Sequence, residues 1–179
     1  MAAPVRLTAL VLSSVTCCLT SIASAQAPVS DALRNIEQRS AKNLIAGFES
    51  IPADKYGFKP TAAQMSIGDI VVHLSGGNDY LCSKISGTAA PKRAELAGTA
   101  AKDALVARLK ETFQFCETAL AKVNDSDLGG MVPFFGNRQV TRANAMLATV
   151  EDWGDHYSQL AIYMRLNGLL PPTAKKGGD

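Results

Sequence analysis

Apolar residues recur every three or four positions in four separate stretches of the chain, and each recurrence predicts one amphipathic helix. The first stretch follows Ser30, a good N-cap, and lines up Leu33, Ile36, Leu44 and Phe48 until Ser50-Ile51-Pro52 stops it. The second opens at Ser66, whose partner Asp69 three residues on makes a capping-box pattern. Its apolar face is Ile67, Ile70, Val71, Leu74, Leu81 and Ile85. The third follows Thr99 and is the cleanest, with Leu105, Leu109, Phe113, Cys116, Leu120 and Val123 inside about 80° of a helical wheel. The fourth starts near Thr141 and carries Met146, Val150, Trp153, Tyr157, Leu160, Ala161 and Met164. Gly168 suits a C′ position there, and Pro171-Pro172 forbids continuation.

The connections have patterns of their own. Ala53 to Met65 contains Tyr56-Gly57-Phe58-Lys59-Pro60, which predicts extended backbone because the residue before a proline avoids the α region. Gly129 to Asn137 reads as a turn-rich or short hairpin-like excursion. Four amphipathic helices in one domain predict an all-α four-helix bundle. It is expected over residues 26–172, with residues 173–179 as a flexible tail.

The first 25 residues stand apart from this scheme. Arg6 is the only charge before the apolar run Leu7 to Leu12, the apolar stretch continues to Leu19, and Ala23-Ser24-Ala25 is a small-x-small cleavage pattern. Together they predict a signal peptide cut after Ala25 and a periplasmic or secreted product. The run is too short and too rich in Ser and Thr for a good membrane span, so no integral span is expected in the mature chain. A lipid anchor at Cys17 or Cys18 is the alternative, but Val15-Thr16 departs from the Leu-small-small that precedes such a cysteine.

Charge narrows the partners. Of 18 Lys and Arg against 16 Asp and Glu, one Arg lies in the leader, leaving 17 against 16. A chain so near neutrality, with no run of basic residues, lacks the electrostatic footprint of a nucleic-acid binder. Glycine-rich nucleotide loops, nucleophile elbows and paired C-x-x-C motifs are absent from the sequence. Ser75-Gly76-Gly77 falls inside a helical pattern, where small residues admit a neighbouring helix or leave space beside His73. Two cysteines remain after the leader, Cys82 and Cys116; a disulfide and two buried small side chains are both consistent with their spacing.

The two histidines carry the candidate chemistry. On the fourth helix Asp152, His156, Gln159 and Tyr163 form a polar stripe beside the apolar face, and on the second Asp69, His73 and Tyr80 do the same. If these flanks meet, His73, Asp152 and His156 make two imidazoles and a carboxylate, a set that bundles use to hold a divalent ion. Asp155 competes with Asp152 for the carboxylate role but is turned further toward solvent. Asp69 is placed to orient His73 from one turn away. Trp153 and Tyr157 read as core, and Arg165 as a partner for terminal carbonyls or the helix dipole.

Three segments carry a family likeness: Tyr56-Gly57-Phe58-Lys59-Pro60-Thr61, Ser66-Ile67-Gly68-Asp69-Ile70-Val71-Val72-His73-Leu74, and Asp155-His156-Tyr157-Ser158-Gln159-Leu160 followed by Tyr163 to Pro172. Their order resembles the DinB-like superfamily over nearly the whole mature chain. The resemblance implies a four-helix bundle with a long crossover, and in many members a Zn or Ni ion held by three histidines, one on helix two and two in H-x-x-x-H on the last helix. By position these fall on His73, Asp152 and His156, so a carboxylate stands where the pattern has its middle imidazole. That exchange keeps a ligand, adds negative charge and lowers the preference for softer metals, leaving Fe or Mn as candidates beside Zn and Ni.

Three readings follow. One is a metal-dependent hydrolase or thiol transferase acting on a small molecule, with Tyr163 or Asp155 assisting at the ion. Export weighs against the thiol version, since such thiols are mainly cytosolic. The second is a metal- or small-ligand-binding protein without turnover. The third is a metal-free bundle that forms a homodimer and serves a stress or envelope role.

Overall fold

Ser30 is the third residue of its helix rather than the cap that its type suggests. The structure, a computed structural model, describes residues 27–175; the expected leader and its cleavage point lie outside the described residues. Helix α1 spans Pro28–Ser50, with Pro28 in the first turn, where an N–H would have no helical acceptor. Ser30 is buried, and its hydroxyl donates to Asp125 Oδ1 at 2.7 Å while the Ser30 and Val29 N–H groups donate to the same carboxylate at 2.8 and 3.0 Å. Asp125 therefore supplies from another part of the chain the acceptors that an N-cap would.

The other ends follow local chemistry more closely. Helix α2 spans Ile67–Ser86, and its capping box is complete: the Ser66 hydroxyl accepts the Asp69 N–H at 3.1 Å, and Asp69 Oδ2 accepts the Ser66 N–H at 3.1 Å. Helix α3 spans Lys102–Leu120, so it opens after Ala101 rather than directly after Thr99, and Val123 packs into the core from beyond its end. Strands β1 (Met131–Phe134) and β2 (Arg138–Thr141) pair antiparallel, which makes the expected excursion a true hairpin. Helix α4, Arg142–Leu166, starts from the Thr141 cap. At its end Gly168 has φ 74°, its N–H reaches Arg165 O at 3.0 Å, and the Leu169 N–H reaches Met164 O at 2.9 Å. That pair of bonds is a Schellman motif.

Side-chain contacts give the helix directions. Tyr163 meets Met65, Trp153 meets Asn78 and Arg142 meets the Ile85 carbonyl, so α2 and α4 run antiparallel. Asn78 meets Thr112 and Cys82 is disulfide-bonded to Cys116, so α2 and α3 run parallel. Two parallel helices adjacent in sequence need a return path the length of the bundle. Residues 87–101 provide it: Arg93 pins them to Asp79 and Glu111, each at 2.7 Å, and Gly98 arrives against Gly68 and Asp69 at the start of α2. This is the long crossover. Helices α1 and α2 each pack on α3 and α4 and occupy one diagonal of the bundle.

Phe48, Ile67, Ile70, Leu74, Leu105, Leu109, Trp153 and Leu160 fill the centre with the disulfide among them. The two readings of the cysteines thus resolve to a bridge. Tyr157 is only partly buried and hydrogen-bonds the Thr173 hydroxyl at 2.9 Å, at the first residue of the expected tail. Among the described residues no helix is long and apolar enough to cross a membrane.

Candidate metal centre

Antiparallel packing of α2 on α4 brings the two polar flanks face to face. His73 Nε2 lies 3.3 Å from Asp152 Oδ1, and His156 Nε2 lies 3.5 Å from the same oxygen. The imidazole centroids are 4.6 Å apart at an interplanar angle of 60°. One ligand atom from each of the three residues falls within 4.8 Å of the others. Tetrahedral ligands at bonds of about 2.0–2.1 Å sit about 3.3 Å from one another, so two of the three spacings already match an ion's first shell.

Burial is graded across the triad. The side chain of His156 is 8% exposed, that of Asp152 23% and that of His73 49%, so the centre opens on the His73 side. The open side is widened by Ser75-Gly76-Gly77, which lies inside α2: a Cβ on Gly77 would stand 3.5 Å from Asp152 Oδ2, and one on Gly76 would meet nothing within 4 Å. Beyond Asp152 an open acidic depression of about 650 Å³ runs along the outside of α4, lined by Ala148, Glu151, Asp152, Gly154, Asp155 and Ser158.

A directed hydrogen-bond run orders the buried imidazole. Tyr163 donates its hydroxyl hydrogen to the Met65 carbonyl at 3.1 Å, because a carbonyl can only accept. Its oxygen then accepts from Gln159 Nε2 at 3.0 Å, which turns Gln159 Oε1 toward His156 Nδ1, also at 3.0 Å. Nδ1 must therefore carry a hydrogen, and Nε2 is the nitrogen that faces Asp152. Metal-ligating histidines are held in this way, with the far ring nitrogen donating to a fixed acceptor.

The charges fit a cation. Burial alone would raise the Asp152 carboxyl, but hydrogen bonds and charge from His156 and then His73 outweigh it and hold the group below its usual range. The Asp152 hydrogen bond, with help from Gln159 and the charges of Asp152 and Asp155, raises His156 against the opposing effect of burial. Asp152 thus sits between two imidazoles as an anion that favours positive charge at Nε2, whether a proton or a metal ion. Two imidazoles and a carboxylate suit a borderline divalent ion such as Zn or Ni.

The remaining sequence candidates lie around this triad. Asp155 is exposed on the outer side of α4, outside the ligand cluster, and acts on His156 through its charge. Tyr163 is buried, with its hydroxyl committed to Met65 and Gln159. Asp69 Oδ2 is taken up by the Ser66 hydroxyl at 2.6 Å and by its N–H, so Asp69 completes the cap and does not orient His73. Tyr80 stacks on Phe135 of the hairpin with centroids 4.3 Å apart. Arg165 donates to the Ala161 carbonyl at 3.1 Å. Gln159 stood on the predicted stripe without a role; its place three residues after His156, where helix side chains meet, is the signal that points to it.

The family model of the DinB superfamily matches residues 38–160. Among solved structures the chain is similar to a DinB-like protein from Bacillus subtilis, with TM-score 0.65 and 20% identity over 81% of this chain and 99% of that one. It is also similar to a DinB-like protein from Bacillus cereus ATCC 10987, with TM-score 0.64 and 14% identity over 79% and 95% of the two chains. A conserved protein from Enterococcus faecalis gives TM-score 0.63 and 15% identity over 77% and 96%. At these identities the likeness is one of fold. No curated protein sequence matches the chain. The matched segment takes in all of α2 and α3 and both candidate ligand positions on α4, and the chain belongs to the DinB superfamily.

Proposed function

We propose that the chain binds one divalent ion, Zn or Ni, through His73, Asp152 and His156, and that the centre serves a metal-dependent hydrolase or transferase acting on a small molecule outside the cytoplasm. The observation that carries this reading is the single Asp152 oxygen shared by the Nε2 atoms of two imidazoles on different helices. The bound ion would supply Lewis-acid polarisation in the open cleft. The protein's own residues do the rest. Gln159 keeps His156 Nδ1 protonated, which would leave Nε2 as the nitrogen to hold the ion, and Tyr163 acts as a positioning residue through Gln159. Asp155, which shares the outer depression with Asp152, would be the group to accept a proton from a nucleophile entering on that side. Export accords with the Cys82–Cys116 disulfide, a bond that persists in oxidising compartments.

Elemental analysis after loading with Zn and Ni tests the reading. One equivalent of ion is expected in the wild type and none in His156→Ala or His73→Ala. No ion in the loaded wild type would leave the metal-free bundle. An ion without turnover of ester or thiol-transfer substrates, sensitive to Asp152→Ala, would leave a binding protein.

A further inference from the structure

The seam between α1 and α3 lies on the opposite side of the bundle from the α2–α4 seam that holds the candidate ion centre. Its buried stripe is interrupted by an acid: Leu33, Leu44 and Phe48 of α1 face inward, and so does Glu37, only 3% exposed. Among the described residues none hydrogen-bonds or ion-pairs with the Glu37 carboxylate. The group borders a pocket of about 290 Å³. Ala41, Ile45 and Phe113 give that pocket apolar walls, and Gln38 and Gln114 line it as well. Glu117, exposed on α3, adds a second carboxylate; Lys110, the one cation in the lining, is drawn to Glu49 at 2.5 Å. Burial, and then the charge of Glu117, push the Glu37 carboxyl up to about 7. A buried acid without a counter-charge either holds its proton or costs the fold, and a cation in the pocket would stabilise its charged form.

We propose that the α1–α3 pocket binds a small organic cation, a primary ammonium or guanidinium on a short apolar stem, with its head on Glu37 and Glu117 and its stem along Ala41, Ile45 and Phe113. An inorganic divalent ion suits the pocket poorly, because hard cations take six or more oxygen ligands and these walls are apolar. The site is independent of the histidine centre.

Calorimetric titration of the full chain with n-butylammonium at neutral pH tests this, with butanoate as the charge-reversed control. One saturable site for the ammonium and none for the carboxylate are expected. His156→Ala should keep the affinity, while Glu37→Gln, nearly the same in shape, should weaken it at least about tenfold. No saturable binding of butylammonium, equal binding of butanoate, or undiminished affinity in Glu37→Gln would overturn the proposal. Should Glu37→Gln not fold, the carbon NMR signal of the wild-type Glu37 carboxyl decides: it shifts on saturation with butylammonium, and an unmoved signal overturns the assignment equally.

Discussion

The hydroxyl of Tyr163 accepts the Gln159 amide at 3.0 Å, and this contact turns the carboxamide oxygen toward His156 on the preceding turn of the same helix. The run ends on a backbone carbonyl, Met65, just before α2. One helix therefore sets the tautomer of its own histidine by reference to the helix that carries the other.

Removing Gln159 should loosen the ion without loosening the fold. In Gln159→Leu the acceptor for Nδ1 is lost while the helix and its volume remain, and losses of outer-shell partners commonly cost about 10–100-fold in metal affinity. Competition titration with a chelating dye checks this. Tyr163→Phe should give a smaller loss in the same direction. An unchanged affinity in both variants would show that the run is structural only.

Glu37 gives stability a pH dependence of definite sign. Its carboxyl is raised in the folded state from the ordinary 4.5 to about 7, so the native protein binds the proton more tightly than the unfolded chain does. Its contribution is fully favourable below about pH 4.5 and is lost as pH rises through about 7. On this account Glu37→Gln has a higher midpoint than wild type at pH 8, by about 5 °C for roughly 2 kcal/mol, and little advantage at pH 4.5. Thermal melts at the two values, without added amines, measure the difference.

Reduction of the Cys82–Cys116 bridge should weaken the bundle. The bond closes a loop with a sequence separation of 34 and joins α2 to α3 in the core. Loop entropy of this size corresponds to about 4 kcal/mol. Urea unfolding with and without reductant, or of the Cys82→Ser, Cys116→Ser double variant, checks it. Coincident curves would remove the bridge from any role in stability.

Gly68 and Gly98 form the tightest joint between the crossover and α2. A Cβ on Gly68 would fall on the Gly98 carbonyl oxygen, which is backbone and has little freedom to move. Gly68→Ala is expected to cost about 2–3 kcal/mol and to disturb the Ser66–Asp69 cap beside it. Gly76→Ala, with open space around it inside α2, should instead stabilise by about 0.5–1 kcal/mol in the same denaturation series.

The four helices were legible because each buries one stripe, and periodicity reports burial whatever the partner is. Ser66 and Thr141 announced their helices because the capping contacts are local. Ser30 misled because its helix start is capped from Asp125, 95 residues away, and no local pattern records such a partner. The same division holds at the candidate site. Wheel angles put His73, Asp152 and His156 at core boundaries, but only the antiparallel pairing of α2 with α4 brings those boundaries together. The ending of the Tyr163 run on Met65 depends on packing that residue type does not encode, whereas the local capping box that takes up Asp69 was legible and already competed with a role for Asp69 at His73. For the cysteines, spacing left two readings open, and the parallel course of α2 and α3 decides between them.

The crossover has a bearing on when the ion centre comes into being. His73 and Asp152 are separated by 79 positions in the chain, and the return path, the whole of α3 and the hairpin intervene between them. Contacts of such range form late, after shorter loops have closed. A nascent chain that has not yet made its last helix offers His73 alone, and one that has made but not docked it holds only the Asp152–His156 pair of a single turn. On the proposed function, metal capture would report that assembly has finished, and a truncation ahead of α4, which lacks Asp152 and His156, would be blind to the ion however well its first three helices had collapsed.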